Sequence, residues 1–449
     1  MMKKRLTTKE TIIVASTLFG MFFGAGNLIF PVHLGQMAGS NSWPAIVGFI
    51  VTAVGIPILA VAAIGNTHSD NLLMMSSKVS RRYAMIFTSL LYLTIGPFFA
   101  IPRCATVSFT TGVAPMLDSR SYMIGQLIFT AVFFAVVLFF SLKPSGITTW
   151  IGRVINPVFL VFLGLLIVVA MIHPGARISE IEPIEAYQHG ALFKGFIEGY
   201  GTMDAIAGLA FGIVIINVVR ELGIVKENDI ARETIRAGIF TGALMALIYL
   251  LTIIMGAQSR GLFELSDNGA IALTQISGYY LGGLGRLVLA VTITFACLKT
   301  ALGLVTSCSA MFVELFPGKL SYNGWAVAFS LFSLVVSNVG LTAIITYAVP
   351  MLMLLYPLAI TLVILALTER LFGKSVYVYR WVTIGAAIPA VFDFIKTLPE
   401  GMQIPAMTEL GSKVFPLFDL GLGWIVPSLI GLAVGLAVTK MKKSKETDI

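Results

Sequence analysis

Charged residues are scarce in this sequence, 12% of 449, where a water-soluble domain carries about a quarter. That shortage excludes an ordinary soluble globule. The three cysteines, Cys104, Cys297 and Cys308, all fall inside apolar runs, so they read as small buried apolar residues and exclude a disulfide framework or thiolate metal site. His189 has no partner at metal-ligand spacing, and His33, His68 and His173 lie near the ends of apolar runs, where they read as interfacial. The chain also lacks a glycine-rich phosphate loop, a zinc-binding His-Glu-x-x-His pattern and the paired in-span aspartates of an intramembrane protease. These absences argue against an enzyme and against a nucleotide-driven pump, and no cofactor is expected. The net charge of +8 comes without a basic patch interleaved with aromatics, which excludes nucleic acid as a partner.

What is abundant is apolar sequence, 57% of the chain, in long recurrent runs. A hydrocarbon core of roughly 30 Å requires about 18 or more apolar residues of a spanning helix. Twelve such runs are expected, at 8–32, 43–65, 83–112, 122–142, 147–172, 192–219, 233–258, 284–315, 323–339, 341–369, 376–397 and 418–440. The partner throughout is the lipid bilayer, and no obligatory protein partner is evident. The first run is too long for a signal-peptide core and lacks a convincing cleavage site, so it is expected to be retained.

Lysine and arginine test that count, because they concentrate in short cytoplasmic loops. With both termini inside, 21 lie on the inner side, 7 on the outer side, and Arg103 and Lys299 within spans. Both termini are therefore expected to be cytoplasmic.

Two of the runs are interrupted. Phe23-Gly24-Ala25-Gly26-Asn27 sits in the middle of span 1, where each glycine costs roughly 1 kcal/mol against alanine in a helix. Small residues for close helix packing would explain one such cluster. Span 6 repeats it, as Gly199-Tyr200-Gly201-Thr202-Met203-Asp204. Corresponding glycine-interrupted segments in two halves point to a transporter's central site, because irregular backbone at membrane depth is tolerated only against protein or a watery cavity. Each half holds five spans, an odd number, so the second half is inverted relative to the first. The expected organisation is a single transporter domain over 1–449, with repeats at 8–172 and 192–369 and spans 11 and 12 over 376–440. Repeated broken spans disfavour a receptor or channel.

Span 3 carries Pro97 and Pro102, which imply a kink, and Arg103 well inside the run. A buried arginine is a functional candidate, structural or gating; its simpler role is to cap carbonyls freed by Pro102. In span 8, Lys299 lies about midway, where an ammonium costs roughly 3 kcal/mol on insertion scales unless paired or hydrated. Between spans 7 and 8, residues 260–285 form a candidate outer lid with a helical stretch over 268–276.

Broken helices present unpaired N–H groups at one end and carbonyls at the other. Amides near Gly24 to Asn27 would hold a carboxylate and carbonyls near Tyr200 to Met203 an ammonium. Phe22, Phe98, Phe99, Met203 and Phe211 are candidates for an apolar side-chain pocket, which favours an aliphatic amino acid; singly, each also reads as packing.

Three segments, Phe-Gly-Ala-Gly-Asn-Leu-Ile-Phe-Pro at 23–31, Gly-Pro-Phe-Phe-Ala-Ile-Pro-Arg-Cys-Ala-Thr-Val-Ser-Phe at 96–109 and Gly-Tyr-Gly-Thr-Met-Asp at 199–204, resemble the bacterial branched-chain amino acid:cation symporters. The resemblance runs from about residue 8 to the last span. It implies uptake of leucine, isoleucine and valine across the inner membrane, driven by H+ or Na+, on the leucine-transporter fold. Carried over residue by residue, it implies substrate carboxylate contacts at Ala25 and Gly26, an ion or substrate contact at Asn27, where sodium could sit, and contacts from Tyr200, Gly201, Thr202, Met203 and Asp204. Gly24 and Phe98 join this candidate substrate site from the reading of the break and the apolar pocket. It also implies an ion site from Gly20, Phe23, Ala296, Lys299 and Thr300. Lys299 stands where a hydroxyl is expected, so its ammonium is read as a substitute for the sodium ion; the alternative is that it faces a wet inner vestibule. A related transporter of another small amino acid or a nucleobase is the competing reading.

Overall fold

The computed structural model describes residues 5–24, 26–67, 69, 71–142 and 147–447. Among them there is no strand, and the chain is a succession of helices. Span 1 is two helices, α1 (Thr8–Phe22) and α2 (Gly26–Ala38). The first opens on a capping box between Thr7 and Glu10, the Thr-x-x-Glu spacing such a box requires. The second runs beyond the expected limit of span 1 at residue 32: with Pro31 inside it, the helix continues to Ala38. A proline inside a membrane helix is tolerated when neighbouring groups satisfy the carbonyl it frees.

Span 2 is α3 (Ser42–Ile50) and α4 (Ile56–Asn66), joined through a π-helical turn over Val51–Gly55. A short α5 (Leu72–Ser76) follows. Span 3 kinks as its prolines require: α6 (Arg81–Leu93) and α7 (Ala100–Gly112) meet at a π turn, Thr94–Phe98, where Gly96 is non-helical. Next come α8 (Tyr122–Leu142), α9 (Ile147–Ile172) and the short α10 (Glu185–Gln188). Span 6 divides into α11 (Ala191–Glu198) and α12 (Asp204–Glu221), separated by a 3-10 turn and Met203.

Span 7 is α13 (Glu227–Ser259). The expected lid helix and span 8 form one element, α14 (Gly269–Leu315), bent at Gly282 and capped by the Asn268 side chain. Then follow α15 (Tyr322–Ser337), α16 (Leu341–Thr368), α17 (Val376–Lys396), α18 (Pro405–Val414) and α19 (Ile425–Thr447). The last span thus begins later than residue 418, because Phe418–Leu420 form a 3-10 turn.

Eight helical stretches among the described residues are long and apolar enough to cross a membrane. The halves of the broken spans fall short singly: α1 has 15 residues and α11 only 8. They are stable because they are packed against protein. Helices α1 and α2 lie on α13, while α11 lies on α3 and α12 on α4. The α2–α13 contact is backbone to backbone: a Cβ on Gly35 would stand 2.0 Å from the Ile253 carbonyl oxygen, and one on Gly256 would stand 2.1 Å from that of Val32. Small residues thereby let two helices approach in a solvent that offers no hydrophobic drive.

Candidate functional site

The break in span 1 lies between Phe23, which has extended backbone, and Gly26, where α2 resumes. Ala25, a sequence candidate, falls outside the described residues. Asn27 is therefore in the first turn of α2, not in the irregular segment. Its side chain reaches back across the break, and the Gly24 N–H donates to its Oδ1 at 2.9 Å.

The same side chain faces span 6. Asn27 Nδ2 donates to Asp204 Oδ2 and to Tyr249 Oη, both at 2.5 Å, and the Tyr249 hydroxyl stands 3.4 Å from the same carboxylate oxygen. Asp204 is the first residue of α12, where the helix dipole favours a negative group. All three residues are buried. Tyr249 comes from α13 and was not singled out from sequence; a lone tyrosine in an apolar run carries no local signal.

The backbone before Asp204 is shaped by side chains of its own segment. The Thr202 hydroxyl donates to the Gly199 carbonyl at 2.9 Å, and Met203 takes a left-handed conformation, φ 64°. A buried non-glycine residue there is a strained position, of the kind that clusters at functional sites. Tyr200 stacks on Tyr356 of α16 with centroids 4.0 Å apart.

Arg103 crosses from α7 into the space between the two breaks. Its Nη1 donates to the Gly201 carbonyl at 2.7 Å, and its guanidinium carbon is 5.3 Å from the Phe30 ring centroid. The carbonyl it serves thus belongs to span 6, not to its own proline-kinked helix. Gly26 must be glycine for this: a Cβ there would stand 2.8 Å from Arg103 Nη2 and 3.4 Å from the Thr202 carbonyl oxygen.

Beside these groups is a cavity of about 100 Å³, walled by Phe30, Arg103, Glu198, Tyr200, Gly201 and Met203 and by the apolar face of α16, including Ile344, Ala348 and Leu352. Phe98 does not line it; that ring packs on Phe99 and on Phe332 of α15. Phe22 is buried and Phe211 half-buried, and neither lines the cavity. A larger cavity of about 510 Å³, with Thr110, Tyr122 and Arg286 among its walls, touches none of the break residues.

Near the C-terminal end of α1, Lys299 Nζ donates to the Gly20 carbonyl at 3.1 Å. The Thr300 hydroxyl donates to the Ala296 carbonyl within its own helix, and a Cβ on Gly24 would lie 3.2 Å from its oxygen. Phe23 stacks on Phe19, centroids 4.7 Å apart. The candidate ion-site residues of spans 1 and 8 are therefore neighbours. No cluster of three or more metal-ligating side chains occurs among the described residues.

The chain resembles known proteins along nearly its whole length. The family described as "Branched-chain amino acid transport protein" matches residues 7–442. The branched-chain amino acid permease BrnQ of Lactobacillus delbrueckii subsp. lactis is 48% identical over 434 residues, 96% of this chain and 97% of the relative. BrnQ of Bacillus subtilis is 40% identical, covering 99% of this chain and 100% of its own. The branched-chain amino acid transport system 2 carrier protein of Pseudomonas aeruginosa is 38% identical, with 94% of each chain covered. Among solved structures, the inward-facing conformation of Mhp1 superimposes with a TM-score of 0.54 at 13% identity, over 91% of this chain and 92% of that one, and so shares its fold. With two broken spans joined through Asn27 and Asp204, and with relatives named permeases and carriers rather than enzymes, this multi-pass membrane protein belongs to the branched-chain amino acid transport protein family.

Proposed function

We propose that this chain imports leucine, isoleucine and valine across the bacterial cytoplasmic membrane by alternating access, as a secondary transporter with both termini inside. The observation that carries the reading is the junction of the two breaks, where the first turns of α2 and α12 are tied together beside a mostly apolar cavity. Twelve spans in a five-plus-five inverted repeat, over 8–172 and 192–369, suit the packing. Span 2 would be the equivalent of span 7, and α1 and α2 lie on α13 as α11 and α12 lie on α3 and α4.

The substrate carboxylate would meet the amides of the Gly24 to Asn27 segment, and its ammonium the carbonyls of Tyr200 to Met203 and the Asp204 carboxylate. Within that set, the Gly24 N–H and the Gly201 carbonyl are already engaged by Asn27 and Arg103. The Tyr200 and Met203 carbonyls accept backbone bonds from Met203 and Ala207, and Asp204 Oδ2 faces Asn27 and Tyr249, so the Gly26 amide, the Thr202 carbonyl and Asp204 Oδ1 are the groups left to the ligand. An aliphatic side chain fits walls such as Ile344, Ala348 and Leu352 better than a nucleobase, whose polar edge would find few partners there.

Coupling is to a proton or sodium gradient. The Lys299 ammonium, held by the Gly20 carbonyl, would join spans 1 and 8 where the fold otherwise uses a sodium ion. The test is labelled leucine uptake into proteoliposomes, with sodium replaced by choline and the pH gradient set independently, for wild type and Lys299→Thr. Uptake that ignores sodium in wild type, and is lost or sodium-dependent in the variant, supports the substitution. Sodium-dependent wild-type uptake that the variant leaves unchanged overturns it. Competition by valine but not by alanine, serine or uracil supports the substrate class.

A further inference from the structure

Arg103 is 5% exposed and has five N–H donors, of which one makes a hydrogen bond among the described residues. That bond runs from Nη1 to the Gly201 carbonyl. Nε has no hydrogen-bond partner, and Nη2 makes no hydrogen bond among the described residues. Nε–H and Nη2 lie on the same side of the guanidinium, so they form a parallel pair of donors matched to the two oxygens of a carboxylate. No carboxylate of the protein makes a salt bridge with them among the described residues. Asp204, an acidic group in electrostatic reach, is bonded instead to Asn27 and Tyr249. A cation so far from water and so poorly paired is costly, and side chains of this kind inside a membrane lie on substrate paths.

The edge is also aimed. Nη2 faces Gly26, the first residue of α2, whose first-turn amides have no partners within the helix. An anion on the arginine edge therefore also sits at the positive end of a 13-residue helix. The cavity beside it is mostly apolar, and Glu198 lines it without a hydrogen bond or ion pair among the described residues. A carboxyl group there supplies an acceptor for an ammonium, which favours a zwitterion over a simple anion.

We propose that the Nε–Nη2 edge of Arg103 binds the carboxylate of the transported amino acid, together with the amides that open α2. This deepens, and rests on, the reading of the chain as an aliphatic amino acid carrier. Nη1 keeps the Gly201 carbonyl meanwhile, so one guanidinium ties the substrate in span 1's break to the backbone of span 6's break. Arg103 is thereby a substrate-binding residue and not only a cap.

The experiment is equilibrium binding to the purified, monodisperse protein of three ligands that share one aliphatic chain: leucine, leucinamide, which lacks the carboxylate, and isovalerate, which lacks the ammonium. Wild type is expected to favour leucine over leucinamide by at least about tenfold. In Arg103→Gln the leucine affinity is expected to fall about tenfold to a hundredfold, the loss of charge-assisted hydrogen bonds, while leucinamide binding changes little, so that their ratio approaches one. Weak isovalerate binding should disappear with it. If Arg103→Gln does not fold, Arg103→Lys decides: it keeps the charge and loses the paired edge, so leucine should weaken selectively. An unchanged leucine-to-leucinamide ratio in a folded variant overturns the proposal, as does equal loss of all three ligands, which marks a structural role. Wild type that binds none of the aliphatic amino acids overturns the transport reading itself.

Discussion

Asn27 and Asp204 are 177 residues apart in sequence, and the amide nitrogen of one stands 2.5 Å from the carboxylate of the other. That single bond ties the first turn of α2 to the first turn of α12, so two helix N-termini from the two broken spans converge on one point. Tyr249 closes the group from α13.

Replacing Asp204 tests that junction. An amide oxygen can still accept from both Asn27 and Tyr249, so Asp204→Asn should fold normally while its initial rate of leucine uptake falls at least about tenfold. Asp204→Leu leaves two buried donors without an acceptor, at about 1–3 kcal/mol each. It should therefore also lower the thermal denaturation midpoint in detergent. Equal uptake by Asp204→Asn and wild type would remove the carboxylate from the substrate site.

The two glycines of span 1 should respond unequally. Gly26→Ala places a methyl group 2.8 Å from Arg103 Nη2, forcing the guanidinium from its position, whereas in Gly24→Ala the contact is 3.2 Å to the rotatable Thr300 hydroxyl. The first is expected to raise the KM for leucine at least about tenfold at unchanged membrane abundance, the second less. The reverse order would show that the arginine is not held against α2.

Gly35→Ala and Gly256→Ala probe scaffold rather than site. Each sets a methyl group about 2 Å from a carbonyl oxygen of the facing helix, and overpacking of this kind costs about 1–3 kcal/mol. Both should lower the denaturation midpoint, with the KM of whatever protein remains folded close to wild type.

Met203→Gly sets two effects against each other. Glycine relieves a left-handed conformation worth about 1–3 kcal/mol, but removes a 3% exposed side chain worth about 1.5–3 kcal/mol on burial. Stability should change little. Because Met203 walls the cavity, the variant should lose affinity for leucine and valine through missing contacts. A clearly less stable protein with unchanged affinity would mean that the side chain serves packing alone.

The interruptions in spans 1 and 6 were legible because glycines and polar groups inside apolar runs have few explanations at membrane depth. Their limits were less so. Pro31 reads as a helix end by local chemistry, yet α2 runs on to Ala38, enclosed by α13 and α14. Arg103 shows the same gap: Pro102 supplies a nearby reason for its presence, while the carbonyl it binds is 98 residues away. The contact between Lys299 and Gly20, 279 residues apart, was anticipated only through resemblance to a family, not from spacing.

Composition and periodicity alone determined a helical, membrane-embedded chain with two broken spans, because bilayer solvation acts on every residue locally and leaves its mark in hydropathy. Which groups meet at the breaks was decided by tertiary structure. Tyr249, Tyr356 and the wall of α16 enter the site from apolar runs with no local mark of function. The Arg103 edge is open because α7, α2 and the span 6 turn together leave its Nε and Nη2 without hydrogen-bond partners among the described residues. Hydrogen-bond satisfaction is a property of the packed whole, and no stretch of sequence carries it alone.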